Sequence, residues 1–182
     1  MSSITCLNQT NYVAQFVLAR GGLTIAHPVG IAPGASLQVP IEDTFQIVAT
    51  TVIDGNTYTS APFQVSGAAG FLAQIVQVAK QGTYEFNVRE MPATVADQLQ
   101  FQKTCLSPVT FTISRNRTTL QSVVVQDSFM MQTIDIGNTI NVYAVVNGIT
   151  TAVVSTSDFN ATITLHLDTS DLESGYFTLA TS

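Results

Sequence analysis

The chain has 182 residues and a formal net charge of −6, with six Lys and Arg in all. So few cations exclude nucleic acid, where affinity rests on Lys and Arg at phosphates, and disfavour an anionic membrane surface for the same reason. Charged residues make up 10% and hydrophobic ones 46%; an apolar fraction that high excludes disorder, and Thr, Ser, Gln and Asn filling the polar places suit strands with one wet face.

No apolar run reaches the about 20 residues of a transmembrane helix. The opening MSSITCLNQTNYVAQF has no basic region and no apolar core. A Sec leader is therefore not expected, and the chain is expected to be cytoplasmic or exported by another route.

In chain order, Tyr12, Ala14, Phe16 and Leu18 alternate with smaller or polar residues, the period of a half-buried strand. Leu23 to Ala26 is a second strand. The Pro-rich 27–34 is loop, and Leu37, Val39 and Ile41 alternate again. Residues 44–65 read as two strands joined at Asp54-Gly55, a type I′ hairpin signal. The run 71–80 fits a helix face or a strand. Its counterpart 161–167 alternates at period two, so a strand is expected. Tyr84, Phe86 and Val88 close the first half, and 91–100 reads as a linker.

The second half repeats the first. Thr5-Cys6-Leu7 resembles Thr104-Cys105-Leu106. Residues 16–20 resemble 111–115, and 39–45 resemble 134–140, both 95 positions on. The turn Asp54-Gly55 has its counterpart at Asn147-Gly148, and 82–86 resembles 175–179, both 93 positions on. The expected fold is all-β: two tandem antiparallel β-sandwich modules of about seven strands each, from an internal duplication. Module one is 1–90, the linker 91–100 and module two 101–182. A single larger β-barrel or sandwich is the alternative.

Catalytic and metal motifs are weak. His27 and His166, the two histidines, fall at different places in the two halves, so zinc and a Ser-His-Asp hydrolase are not expected. His166 should face solvent, opposite Leu165 and Leu167. Asp168, Asp171 and Glu173 share a loop, but their spacing is not that of a calcium loop. Cys6 and Cys105 read as buried free thiols. No cofactor is expected.

Two function classes remain, with an enzyme disfavoured for want of a nucleophile–base pair. The first is a binding protein that presents polar loops to a neutral ligand, such as a glycan or a cell-surface component. Its candidate residues are Tyr12, Asp54, Asn56 and Tyr58 in the first half, with Tyr143 and Asn147 in the second. The second is a self-assembling structural subunit, because few lysines guard the strand edges. The expected partners are accordingly carbohydrate, another protein, or further copies of the chain.

Overall fold

The computed structural model describes residues 1–170 and 176–182, and every regular element among them is a β-strand. The first nine are β1 (Ser3–Asn8), β2 (Ala14–Arg20), β3 (Leu23–Ala26), β4 (Ser36–Pro40), β5 (Thr44–Ile53), β6 (Asn56–Thr59), β7 (Phe63–Ser66), β8 (Ala69–Val78) and β9 (Thr83–Met91). The next nine are β10 (Gln98–Lys103), β11 (Val109–Arg115), β12 (Thr118–Val125), β13 (Gln132–Asp135), β14 (Ile140–Val146), β15 (Ile149–Thr150), β16 (Val154–Thr156), β17 (Thr162–Leu167) and β18 (Phe177–Thr181). The run 71–80 is thus strand as far as Val78, as its counterpart implied, and turn beyond it.

The chain is all-β and of the sandwich class, but its compact units are not the contiguous halves expected. Unit 1 is built from 1–42 together with 137–182, and unit 2 from 43–136. The reason lies in the ladders. β1 pairs with β17 and β2 with β14, so the N-terminal strands find partners near the C-terminus. β5 pairs with β11 and β8 with β10, closing unit 2 on itself. Among the described residues each unit holds nine strands rather than seven. The expected linker is also shorter than 91–100, since Met91 ends β9 and Gln98 begins β10.

Unit 1 has one sheet in the order β18-β17-β1-β4 and another in the order β15-β14-β2-β3, with β16 also on β14. Unit 2 has β13-β10-β8-β9 and β12-β11-β5-β6, with β7 also on β5. The sheets are not wholly antiparallel. β1 runs parallel to β17, and β10 runs parallel to β8. Both parallel pairs join the two halves of the chain, as do the antiparallel pairs β2/β14 and β5/β11.

Registers recur between the units. Leu18 lies opposite Val142; 95 positions from each, Ile113 lies opposite Ile47. Ser3 lies opposite Pro40, and Gln98 opposite Asp135. A bulge shifts β2 against β3 between Leu18 and Ala19, and another shifts β11 against β12 between Ile113 and Ser114. The cysteines break the pattern. Cys6 is inside β1, where Phe101 is its positional equivalent, whereas Cys105 lies in the loop after β10. They do not occupy matching places.

Turn chemistry fixes both central hairpins. Asp54 and Gly55 have φ of 51° and 78°; Asn147 and Gly148 have 50° and 79°. Asn, Asp and Gly tolerate that left-handed backbone, and two such residues in a row make a type I′ turn. The return strand is interrupted in each case, giving β6 then β7 on β5, and β15 then β16 on β14.

Inward residues alternate as the pleat requires. In unit 2, Phe71 of β8 and Phe101 of β10 stack at 5.8 Å. Phe111 of β11, on the opposing sheet, meets Phe101 at 4.9 Å and Phe71 at 6.4 Å. Phe63 of β7 reaches Phe71 edge-on at 5.5 Å. Unit 1 is smaller-grained at the same places, with Cys6, Phe16 and Ile163 all fully buried.

Candidate functional site

The loop between β1 and β2 is held from beneath by one buried amide. β1 alternates inward at Ile4, Cys6 and Asn8, so Asn8 ends the strand on its buried face. Its Nδ2 donates to the carbonyls of Tyr12 at 2.7 Å and Ile31 at 2.8 Å. Its Oδ1 accepts from the Thr10 amide at 3.0 Å and the Thr10 hydroxyl at 2.8 Å. The strand expected from Tyr12 therefore begins only at Ala14. Tyr12 itself stands in the tied loop and is 45% exposed.

That ring is one wall of a cleft at the loop end of unit 1. Tyr12 meets Phe177 edge-on, with centroids 6.0 Å apart. Asn147, Ile149, Leu167 and Tyr176 complete the lining of a cavity of about 280 Å³. Three ladders bring these residues together. The antiparallel β2/β14 pair places Ala14 opposite Val146, next to the Asn147 turn. The parallel β1/β17 pair ends both strands at one side, with Asn8 opposite Leu165. The β17/β18 pair puts Leu167 opposite Phe177. The Asp168 amide donates to the Tyr176 carbonyl at 2.8 Å and fixes the rim.

Of the six residues singled out from the sequence, the fold therefore joins Tyr12 with Asn147 only. Asp54, Asn56 and Tyr58 belong to unit 2, on the β5/β6 hairpin, and line no part of this cleft. Tyr143 pairs with Val17 in mid-strand, on the side of β14 opposite buried Val142 and Ala144. Phe177, Tyr176, Leu167 and Ile149 were missed. Leu167 was expected to be buried beside Leu165. Instead it is half-exposed, because it is the last residue of β17 and stands at the sandwich mouth. His166 is partly covered rather than fully in solvent.

Lys103 of unit 2 holds the place that Asn8 holds in unit 1. It is 2% exposed, and its Nζ donates to the carbonyls of Cys105 at 2.8 Å and Leu106 at 3.2 Å. A cation there ties down the loop between β10 and β11 as the amide ties down its counterpart. Alternation was the available signal, since Asn8 and Lys103 both fall on inward positions of their strands.

Neither cysteine is poised for chemistry. Both are free and buried. Burial pushes the Cys6 thiol up to about 12. Burial also raises Cys105, with Lys103 pulling the other way. A thiol whose folded value is raised stabilises the fold below the unfolded value near 9, and that stability is lost as the pH climbs from 9 towards 12. We expect Cys6 to contribute a decline of about 1.4 kcal/mol per pH unit over that window. Urea midpoints at pH 8 and 10.5 should converge more in Cys6→Ala than in the parent; equal slopes would show that Cys6 contributes nothing.

Among the described residues no three His, Cys, Asp or Glu side chains gather as a metal site. Asp171 and Glu173 of the acidic loop lie outside the described residues. Asp168 accepts from the Ser170 amide at 3.0 Å and its hydroxyl at 2.6 Å. No helix of the described residues is long and apolar enough to cross a membrane. Comparison with family models, with curated proteins and with solved structures yields no match.

Proposed function

We propose that the chain is a non-enzymatic binding protein whose unit 1 cleft takes a neutral ligand such as a glycan. The observation that carries the reading is the convergence of Tyr12, Tyr176 and Asn147 from three separate segments on one open cavity. Its described lining holds no charged side chain, which matches an uncharged ligand. Two tyrosine rings and Phe177 offer rigid faces to the apolar side of a sugar at little entropic cost. The Asn147 amide and the tyrosine hydroxyls supply the few oriented polar groups that such sites use.

Calorimetric titration against hits from a neutral-glycan screen tests this. Tyr12→Ala should weaken binding by about tenfold or more, the scale of an aromatic anchor. Asn147→Gly keeps the left-handed turn and removes the amide, so its loss reports the polar contact alone. Tyr58→Ala in unit 2 should bind as the parent does. Binding that survives Tyr12→Ala and Asn147→Gly, or no hit at all, would sink the reading.

A second reading, self-assembly, has its own support. β3, β4, β6, β12, β15 and β18 each end a sheet, and none contains a charged residue. Uncharged terminal strands leave ladder groups open to another chain. Light scattering over a hundredfold concentration range should then show growing mass, suppressed by Thr57→Lys or Thr150→Lys on β6 and β15. A constant mass would remove this reading.

A further inference from the structure

We infer that the two halves of the chain, 1–95 and 96–182, are reciprocal complements: each half completes its sandwich with a second copy of the same nine-strand segment, here joined in cis. The inference holds whatever the cleft binds.

The strand orders carry it. Strands β1 to β9 of the first half correspond one for one with β10 to β18 of the second. Under that correspondence β18-β17-β1-β4 becomes β9-β8-β10-β13, and β15-β14-β2-β3 becomes β6-β5-β11-β12; these are the two sheets of unit 2. The extra strands correspond too, β16 on β14 with β7 on β5. Every unit thus takes its first four strands from one half and its last five from the other.

Two unrelated sandwiches could share a strand order. They would have no reason to share its details. The two bulges sit 95 positions apart, Leu18/Ala19 and Ile113/Ser114. The Gln9 amide donates to the Leu165 carbonyl across the parallel pair, and the Thr104 amide to that of Ala73, both at 3.0 Å. The Ala49 amide donates to Ser60 Oγ and the Ala144 amide to Thr151 Oγ1, both at 3.0 Å. Each hydroxyl then donates to the next carbonyl, Ala61 at 2.9 Å and Ala152 at 3.0 Å.

The passages of the chain from one unit to the other are equivalent as well. Before the first, the Ile41 amide bonds the Ser2 carbonyl at 2.9 Å; before the second, the Ile136 amide bonds that of Asp97 at 2.8 Å. Both isoleucines are inward anchors, and the chain leaves its unit directly after each, at 42–43 and 136–137. An exchanged pair of segments needs such matched exits. The join between halves, 92–97, by contrast runs from β9 to β10 within unit 2, and Thr94 to Asp97 are exposed there.

The test is made on half-chains. Fragment 1–95, expressed alone, should run in size exclusion with light scattering as a folded homodimer, close to the whole chain's 19.4 kDa. A folded monomer of half that mass would overturn the inference. Should the fragment prove too weak a dimer to fold, a covalent tandem of 1–95 with itself decides. It should give the β-type circular dichroism and cooperative urea unfolding of the parent. A tandem that stays unfolded overturns the inference. Neither readout involves a ligand, so failure of the cleft to bind leaves the result intact.

Discussion

Phe101→Ala is expected to destabilise the protein by about 3–5 kcal/mol. Phe101 is fully buried in β10 and touches both Phe71 beside it and Phe111 across the sandwich. Alanine would remove the shared ring of that cluster and leave a void lined by two phenylalanines. Whole-domain stabilities of about 5–15 kcal/mol leave little margin for such a loss. The positional equivalent in unit 1 is Cys6, so Cys6→Ala removes far less volume and should cost about 1–2 kcal/mol. Urea unfolding of the two variants measures both. Equal costs would mean that the phenylalanine cluster contributes no more than a cysteine does.

Asn8→Ala should cost about 2–4 kcal/mol and abolish binding in the cleft together. The amide is fully buried and serves four partners, the carbonyls of Tyr12 and Ile31 and both donors of Thr10. Alanine removes the acceptor of the Thr10 amide and leaves the carbonyls of Tyr12 and Ile31 with one donor each, the Thr10 hydroxyl at 3.2 Å and the Ala14 amide at 3.1 Å. The penalty for a buried group left unsatisfied exceeds the net worth of the bond itself. Tyr12 then loses the shortest bond on its backbone and keeps only those to the Thr10 hydroxyl, itself no longer held by Asn8. Asn8→Asp is the sharper variant. A carboxylate can still accept from Thr10 but cannot donate to the two carbonyls, and it brings a buried charge against their oxygens. It should be at least as damaging as alanine. A variant that binds normally and melts like the parent would show that the loop holds itself.

Much of this architecture is legible in the sequence. Alternation marks β2, β14 and β17, and the two Asn/Asp-Gly turns mark both hairpins, because those signals act over a few residues. The 95-residue offset also survives in the ladders. What the sequence hides is which half each strand joins. Phe16 in β2 reads the same whether its neighbour is Ala144 or a residue of its own half, since a pleated face asks only for an apolar partner. The cleft is hidden for the same reason. Tyr12 and Asn147 are far apart in the chain, and only the β2/β14 register brings them together. Cys6 and Cys105 mislead because a three-residue match is too short to fix a register.

The parallel pairing of β1 with β17 also sets an order of events during synthesis. Thr5 lies opposite Thr162, so β1 waits for a partner that is synthesised long after it. The segment 43–136 carries all its own ladders and can close while 137–182 is still being translated. Until then β1 to β4 have only one another for company, with Ile4, Phe16 and Leu18 uncovered. Long-range closure of this kind is slow, and unpaired apolar strands are where nascent chains aggregate. Slowing translation through 137–182 should therefore lengthen the time those apolar faces stand open.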